Sequence, residues 1–279
     1  YTTEKPIIAL KDEEIDLIKL QGVYEGVLES VYPCNIDHKA KEISKFSFCA
    51  SDYAKPRFTS ARPKVLIPVF PGTNCEYDTA KALLTAGADP EIFVINNLSA
   101  SSVAESVDTF AKKMKDAQIV FIPGGFSGGD EPDGSGKFIT AFFRNKAVKD
   151  AVHSMLNTRD GLMLGICNGF QALIKLGLVP FGEIKKVDDT CPTLTFNTIG
   201  RHVSQIVSTR ISSVKSPWFS GVELGDIHQI AVSHGEGRFV ASPEVIAEME
   251  KNGQIATQYV DLSGEPTYEM PYNPNGSYY

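Results

Sequence analysis

The sequence has no apolar run long enough to span a membrane, no block of one charge, no C-x-x-C pair, no H-E-x-x-H and no internal repeat. Each absence removes a class of explanation. A membrane-spanning helix needs about 20 consecutive apolar residues, which the chain does not offer. A formal net charge of −7 without a compensating basic block argues against nucleic acid or an anionic membrane as main partner. The five cysteines, Cys34, Cys49, Cys75, Cys167 and Cys191, have neither the spacing of a disulfide framework nor that of a zinc site, and suit a reducing compartment. Cytoplasm is the expected location. Cys34 and His38 lack a second matching pair of ligands and read as bystanders, so no metal site is expected. What remains is an ordinary globular composition, 42% hydrophobic and 22% charged over 279 residues, enough to build a core without staples.

The stretch Gly161-Leu162-Met163-Leu164-Gly165-Ile166-Cys167-Asn168-Gly169-Phe170 is the most informative in the chain. Leu162 to Ile166 reads as a buried parallel strand. Phe170, Leu173 and Ile174 follow at helical spacing, and Gly177 supplies a stop. Cys167 therefore stands where strand turns into helix, flanked by Gly165 and Gly169 in the pattern G-x-C-x-G, the cysteine form of a nucleophile elbow. The helix directs its unpaired N–H groups and positive end at the sulfur, which favours thiolate, the reactive form. A buried structural cysteine is the competing reading.

Around it, strand-like and helix-like segments alternate from about Lys64. Val65–Phe70 reads as a strand, and Pro71-Gly72-Thr73-Asn74 as a turn in which Thr73 or Asn74 caps a helix from about Cys75 to Leu84. A strand at Glu91–Ile95, a helix opened by Ser101 or Ser102 and a strand at Ile119–Ile122 follow. One helical face then carries Phe138, Phe142, Val148, Val152, Met155 and Leu156. After the elbow helix the pattern turns to strands at 194–196, 203–207, 230–233 and 255–260, so a mixed sheet is expected. Residues 1–63 read as an arm and connector, in which Asp12 caps a helix carrying Ile15 and Ile18 that Gly22 and Gly26 interrupt. Residues 64–279 read as one α/β domain.

Two further segments carry chemistry. Pro123-Gly124-Gly125-Phe126-Ser127 and the glycines after it leave a strand at its carboxyl end, the edge where open α/β sheets place ligands. Gly134-Ser135-Gly136-Lys137-Phe138 is not a phosphate loop, because Glu131 and Phe138 stand where the Walker pattern requires glycine and Ser or Thr. Ser233-His234-Gly235-Glu236-Gly237-Arg238 offers a histidine and a carboxylate that could serve a cysteine nucleophile. An ion-paired loop, Arg238 against Glu236, is the alternative.

Phe70-Pro71-Gly72-Thr73-Asn74-Cys75-Glu76, Pro123-Gly124-Gly125-Phe126-Ser127, Gly165-Ile166-Cys167-Asn168-Gly169-Phe170-Gln171 and Ser233-His234-Gly235-Glu236-Gly237-Arg238, in this order, resemble the class I glutamine amidotransferase domains of phosphoribosylformylglycinamidine synthases. Leu28-Glu29-Ser30-Val31-Tyr32-Pro33 is similar to the joining segment of the long, single-chain form. The resemblance implies a flavodoxin-like α/β fold with a mostly parallel sheet and helices on both faces. It implies that Cys167 attacks the side-chain amide of L-glutamine, with the backbone N–H groups of Asn168 and of Gly125 or Phe126 as oxyanion donors. Gly124, Gly125, Phe126, Gln171, His234 and Glu236 would line the glutamine site. Ammonia would pass to synthetase domains of the same enzyme, where ATP and magnesium act, leaving this chain without a cofactor.

In the resembled family the catalytic His and Glu lie in an H-P-E-R or H-S-E-R motif downstream of a segment like Tyr272-Asn273-Pro274-Asn275-Gly276-Ser277. The sequence reaches that segment and ends at Tyr279 without such a motif. The expectation is a C-terminal piece of a longer enzyme, cut before its base, with His234 and Glu236 as neighbours of the site. Another cysteine hydrolase on the same scaffold and a non-catalytic docking domain are the alternatives.

Overall fold

A computed structural model describes residues 5–31, 43–49, 55–128 and 136–278. Cys34, His38, Pro33, Glu131, Gly134, Ser135 and Tyr279, named above, lie outside these residues.

The arm opens with a hairpin of β1 (Ile7–Leu10) and β2 (Glu13–Asp16), followed by α1 (Leu17–Gly26). Asp16, and not Asp12, is the cap: its carboxylate accepts from the N–H groups of Ile18 and Lys19. Ile15 belongs to the hairpin, paired with Ile8, so the apparent helical spacing of Ile15 and Ile18 straddles a strand–helix boundary. Gly22 does not interrupt α1, a substitution for alanine's propensity worth only about 1 kcal/mol. No residue of α1 is buried. Residues 43–49, by contrast, are pinned to the body of the protein. Gln258 accepts from the Phe46 N–H and donates to the Ser44 carbonyl. Arg210 donates to the Phe46 carbonyl and the Ser47 hydroxyl.

The domain is built on four parallel strands. In chain order come β3 (Lys64–Val69), α2 (Glu76–Thr85), β4 (Asp89–Val94), α3 (Ala100–Lys113), β5 (Ile119–Ile122), α4 (Lys137–Arg144), α5 (Lys146–Asn157), β6 (Leu162–Gly165) and α6 (Asn168–Leu176). The strand order is β4-β3-β5-β6. Alternation along the strands divides the core between two faces, as the period of two requires. Leu66, Val120 and Ile122 face a layer of α3 to α6, whose Phe110, Phe142, Phe143, Val152 and Met155 are buried. Val65, Ile67 and Phe121 face the other way, with Ala80 and Leu83 of α2 packed against them. Phe70, at the end of β3, meets Phe142 edge-on at 5.4 Å, and Phe110 meets Phe142 at 5.4 Å and Phe143 at 5.7 Å. These edge-to-face contacts add to area burial.

Local chemistry sets the helix ends. Ser99, and not Ser101 or Ser102, is the cap of α3: its hydroxyl accepts from the Ser102 N–H. Asn145 breaks what the sequence suggests is one helix into α4 and α5 by accepting from the Ala147 N–H. At α2 neither Thr73 nor Asn74 caps: the N-cap position belongs to Cys75 and carries no side-chain cap bond, because the Asn74 carboxamide oxygen takes the Cys75 thiol instead.

The C-terminal part adds α7 (Leu178–Phe181), β7 (Thr193–Thr195), β8 (Val203–Ile211), β9 (Ile227–His234), β10 (Arg238–Val240), α8 (Pro243–Lys251) and β11 (Thr257–Val260). These strands do not extend the parallel sheet. They form a three-stranded antiparallel sheet, β11-β8-β9, and a two-stranded one, β10-β7. The fold is the expected α/β class, with its antiparallel strands set apart in small sheets of their own.

Phe110, Phe142 and Phe143 form the centre of the helical layer, and Phe110 is fully buried. Phe110→Ala is expected to lower unfolding free energy by about 3–5 kcal/mol, whereas Leu98→Ala, at a position 96% exposed, should stay within about 0.5 kcal/mol. Urea unfolding monitored by circular dichroism checks both.

Candidate active site

Cys167 is the second of the two residues between β6 and α6, with φ 52° and ψ −111°. A left-handed φ at a non-glycine residue costs on the order of 1–3 kcal/mol and persists only where the surroundings enforce it. Here two glycines do so. A Cβ on Gly169 would lie 2.1 Å from the Ile122 carbonyl oxygen, and one on Gly165 would lie 2.6 Å from the Gly169 carbonyl carbon. Strand and helix can therefore meet at an angle that no side chain permits. The Ile166 N–H donates to the Ile122 carbonyl at 3.1 Å and the Gly169 N–H to the Ile166 carbonyl at 2.9 Å. The thiol is left exposed at the start of α6, where the positive end of the helix dipole favours negative charge.

The glycine-rich loop lies beside it because β5 and β6 are neighbours, Ile122 pairing with Gly165. A Cβ on Gly124 would stand 3.2 Å from the Cys167 Cβ. Gly125, at φ 139°, pairs with Thr73 in an antiparallel bridge. The bridge is closed by the Phe126 N–H, which donates to the Gly72 carbonyl at 2.8 Å, and by the Asn74 N–H, which donates to the Gly124 carbonyl at 3.5 Å. The Phe126 N–H is thus engaged. The N–H groups of Gly125 and of Asn168, the first residue of α6, donate to no acceptor among the described residues. Of the two donors the sequence offers from this loop, Gly125 is the one left open for a ligand oxygen.

Carboxamides tie the loops together. The buried Asn168 side chain accepts from the Ser127 N–H at 3.2 Å and donates to Gln171 Oε1 at 3.0 Å. Gln171 in turn donates to the Glu236 carbonyl at 3.1 Å. One chain of hydrogen bonds therefore runs from the glycine-rich loop through the elbow helix to the loop carrying His234 and Glu236. Gln171 enters this chain with both ends of its amide, a role the sequence reading, which gave it to the glutamine site, did not anticipate.

His234 finds an amide where the sequence reading offered a carboxylate. Its Nδ1 lies 3.0 Å from Asn197 Oδ1, an oxygen that also accepts from the Gly237 N–H at 3.3 Å. Asn197 Nδ2 donates to the His234 and Arg201 carbonyls, which fixes the amide orientation and puts the imidazole proton on Nδ1. His234 Nε2 is buried and has no partner among the described residues. Burial, helped by the nearby His202, holds the His234 pKa below its ordinary value. Gly237 packs flat on the ring: a Cβ there would be 2.6 Å from Nδ1.

Tyr272-Asn273-Pro274-Asn275-Gly276-Ser277 clamps the same loop from behind. Asn275 Nδ2 donates to the Gly237 carbonyl at 2.9 Å, Ser277 Oγ to the same oxygen at 3.3 Å, and the Thr198 N–H to the Asn275 carbonyl at 3.2 Å. Asn197 and Asn275 were not singled out from sequence. Their signal, polar residues fated for burial next to glycines, is ambiguous until the tertiary partner is known.

A cavity of about 400 Å³ lies between α6 and the antiparallel sheet, lined by Phe170, Ile230, Val232, Phe239 and Met249 among others. Cys167 does not open onto it. The chemistry of the thiol belongs to the start of α6, beside Gly124.

The family described as CobB/CobQ-like glutamine amidotransferase domain matches residues 62–279. The phosphoribosylformylglycinamidine synthase subunit PurQ of Methanococcus maripaludis strain C7 is 36% identical over 218 residues, covering 78% of this chain and 74% of that protein. The PurQ subunit of Treponema denticola is 34% identical over 229 residues, 77% of this chain and 80% of that one. Among solved structures, that of PurLQS from Thermotoga maritima superposes with a TM-score of 0.51 at 24% identity, covering 72% of this chain and 76% of that one, a likeness of fold. The chain belongs to the glutamine amidotransferase family, with PurQ subunits of phosphoribosylformylglycinamidine synthase among its relatives.

Proposed function

We propose that this chain is the glutaminase of a phosphoribosylformylglycinamidine synthase, freeing ammonia from L-glutamine for the ATP-dependent amidation of formylglycinamide ribonucleotide in purine biosynthesis. The single observation that carries the mechanism is the exposed Cys167 thiol at a strained elbow with the open N–H groups of Gly125 and Asn168 beside it. The Cys167 sulfur attacks the side-chain carbonyl carbon of glutamine. The carbonyl oxygen takes up the negative charge between the Gly125 and Asn168 N–H groups, each such donor being worth ~3 kcal/mol in the barrier. The carbon–nitrogen bond then breaks, the nitrogen leaves as ammonia with the thiol's proton, and the γ-glutamyl thioester is hydrolysed by water to glutamate and free thiol. ATP and magnesium belong to the synthetase partner, which receives the ammonia, and no step on this chain calls for them.

His234 and Glu236 support the site as loop residues in this reading. The unprotonated imidazole nitrogen, Nε2, is buried, and the Glu236 carbonyl anchors Gln171. The reading that His234 is the base differs in one outcome. Intact-mass labelling of the full chain with a glutamine-mimicking electrophile is expected to modify Cys167 alone, to be blocked by excess glutamine, to vanish in Cys167→Ser and to persist in His234→Gln. Labelling that glutamine does not block would point to another cysteine hydrolase, and its loss in a folded His234→Gln variant would make His234 the base.

Gly125→Ala should slow that labelling by about 100-fold, the scale of losing one oxyanion donor. Its Cβ would press to 2.5 Å on the Gly72 carbonyl oxygen at a φ of 139°, and so turn the N–H away. Wild-type labelling rates in this variant would move the oxyanion site elsewhere.

The lowered pKa of His234 also has a sign. A buried neutral imidazole contributes stability that is full above the ordinary value of about 6.5 and is lost as pH falls below it, because the unfolded chain then binds the proton first. Thermal unfolding between pH 7.5 and 5.5, chosen to bracket that value of about 6.5, should show a Tm that falls with pH in the wild type and falls less steeply in His234→Gln.

A further inference from the structure

Three neighbouring strands of the parallel sheet, β3, β5 and β6, end side by side. The loops that leave them carry Cys75, Gly124 and Cys167 respectively. The middle position has no side chain, and the outer two are thiols. A Cβ placed on Gly124 would lie 3.7 Å from the Cys75 sulfur and 3.2 Å from the Cys167 Cβ, so both cysteines border the same empty point above the sheet. Each is exposed, and each holds the N-cap position of a helix, α2 and α6, without a side-chain cap bond. The Ile166 carbonyl oxygen, 3.6 Å from the same point, is its third neighbour, and Gly124 adds no side chain there.

We propose that Cys75 and Cys167 form a redox-modification site, in which Cys167 is oxidised by a peroxide and Cys75 resolves it as a disulfide across Gly124. The Cys167 thiolate attacks one oxygen of hydrogen peroxide, the O–O bond breaks, and hydroxide leaves with the sulfur carried to sulfenic acid. The Cys75 sulfur then attacks the Cys167 sulfur, the S–O bond breaks, and the departing hydroxide takes up the Cys75 proton as water. Two thiols are oxidised to one disulfide and one peroxide is reduced to two waters. To reach over Gly124, Cys75 gives up only its contact to the Asn74 carboxamide oxygen, 3.1 Å long, a weak thiol hydrogen bond.

The two roles differ in environment. Partial desolvation by the surrounding loops raises the pKa of the exposed Cys75, and the neighbouring Cys167, Asp78 and Glu76 raise it further. Cys75 is thus a poor first target for peroxide, whereas attack on a neighbouring sulfenic acid needs only proximity. The consequence for the elbow is protection. A resolved disulfide is reducible, while an unresolved sulfenic acid proceeds to sulfinic acid and does not return.

The test is titration of the full chain with hydrogen peroxide, read by intact mass and by peptide mapping without reductant. The expected result in the wild type is loss of two hydrogens, a Cys75–Cys167 cross-linked peptide, and full recovery of free thiol at Cys167 on adding dithiothreitol. In Cys75→Ser, Cys167 should instead gain two oxygens and fail to recover. A wild-type chain that accumulates sulfinic acid at Cys167 as fast as Cys75→Ser, or that cross-links Cys167 to one of the other three cysteines, would overturn the proposal. These readouts need no glutamine turnover, so they stand or fall independently of the glutaminase reading.

Discussion

The site rests on one steric fact: Gly169 lies so close to the Ile122 carbonyl that a methyl group would not fit. Because Ile122 ends β5 and Gly169 belongs to the first turn of α6, this approach fixes the helix against the strand next to its own. It forces Cys167, between β6 and α6, into a φ that only a well-held residue adopts. The elbow is strained by a few kcal/mol at most. The buried phenylalanines beneath it, each capable of contributing a comparable amount on burial, hold it there.

Around that point the protein uses amides in preference to charges. Asn168, Gln171, Asn197 and Asn275 are all buried, and each offers donor and acceptor from one neutral group. A buried charge would cost several kcal/mol unless paired, and would also set a field on the nucleophile. A satisfied carboxamide crosses between loops without either penalty. The glycine-rich loop, the elbow and the loop of His234 are therefore held in register by polar contacts that carry no net charge. The C-terminal Asn-Pro-Asn-Gly-Ser segment belongs to the same scheme, since Asn275 and Ser277 both end on the Gly237 carbonyl.

Much of this was legible in the sequence where the signal was local. The strand–cysteine–helix break at Gly165-Ile166-Cys167-Asn168-Gly169 shows itself because apolar run, glycines and helical spacing all fall within the thirteen residues from Leu162 to Ile174. The alternation from Lys64 onward does so because each unit has its own period. What stayed hidden depends on distance along the chain. The choice of Gly125 over Phe126 as open donor rests on a bridge to Thr73, some fifty residues away. The neighbouring of Cys75 and Cys167 rests on the strand order β3-β5-β6, which periodicity does not encode. The separation of the antiparallel strands into small sheets, and the partnership of His234 with Asn197, are tertiary in the same sense. Asn145, splitting one apparent helix into two, is the local exception: a polar residue at a helical position is read as solvent-facing until its side chain is seen to cap.

The most direct measurement is made on Gly169→Ala, comparing urea unfolding with the rate at which a glutamine-mimicking electrophile labels Cys167. If the elbow depends on the approach of Gly169 to Ile122, the variant loses both stability and labelling. A variant that labels Cys167 at the wild-type rate, whatever its stability, would contradict the claim that this contact builds the site.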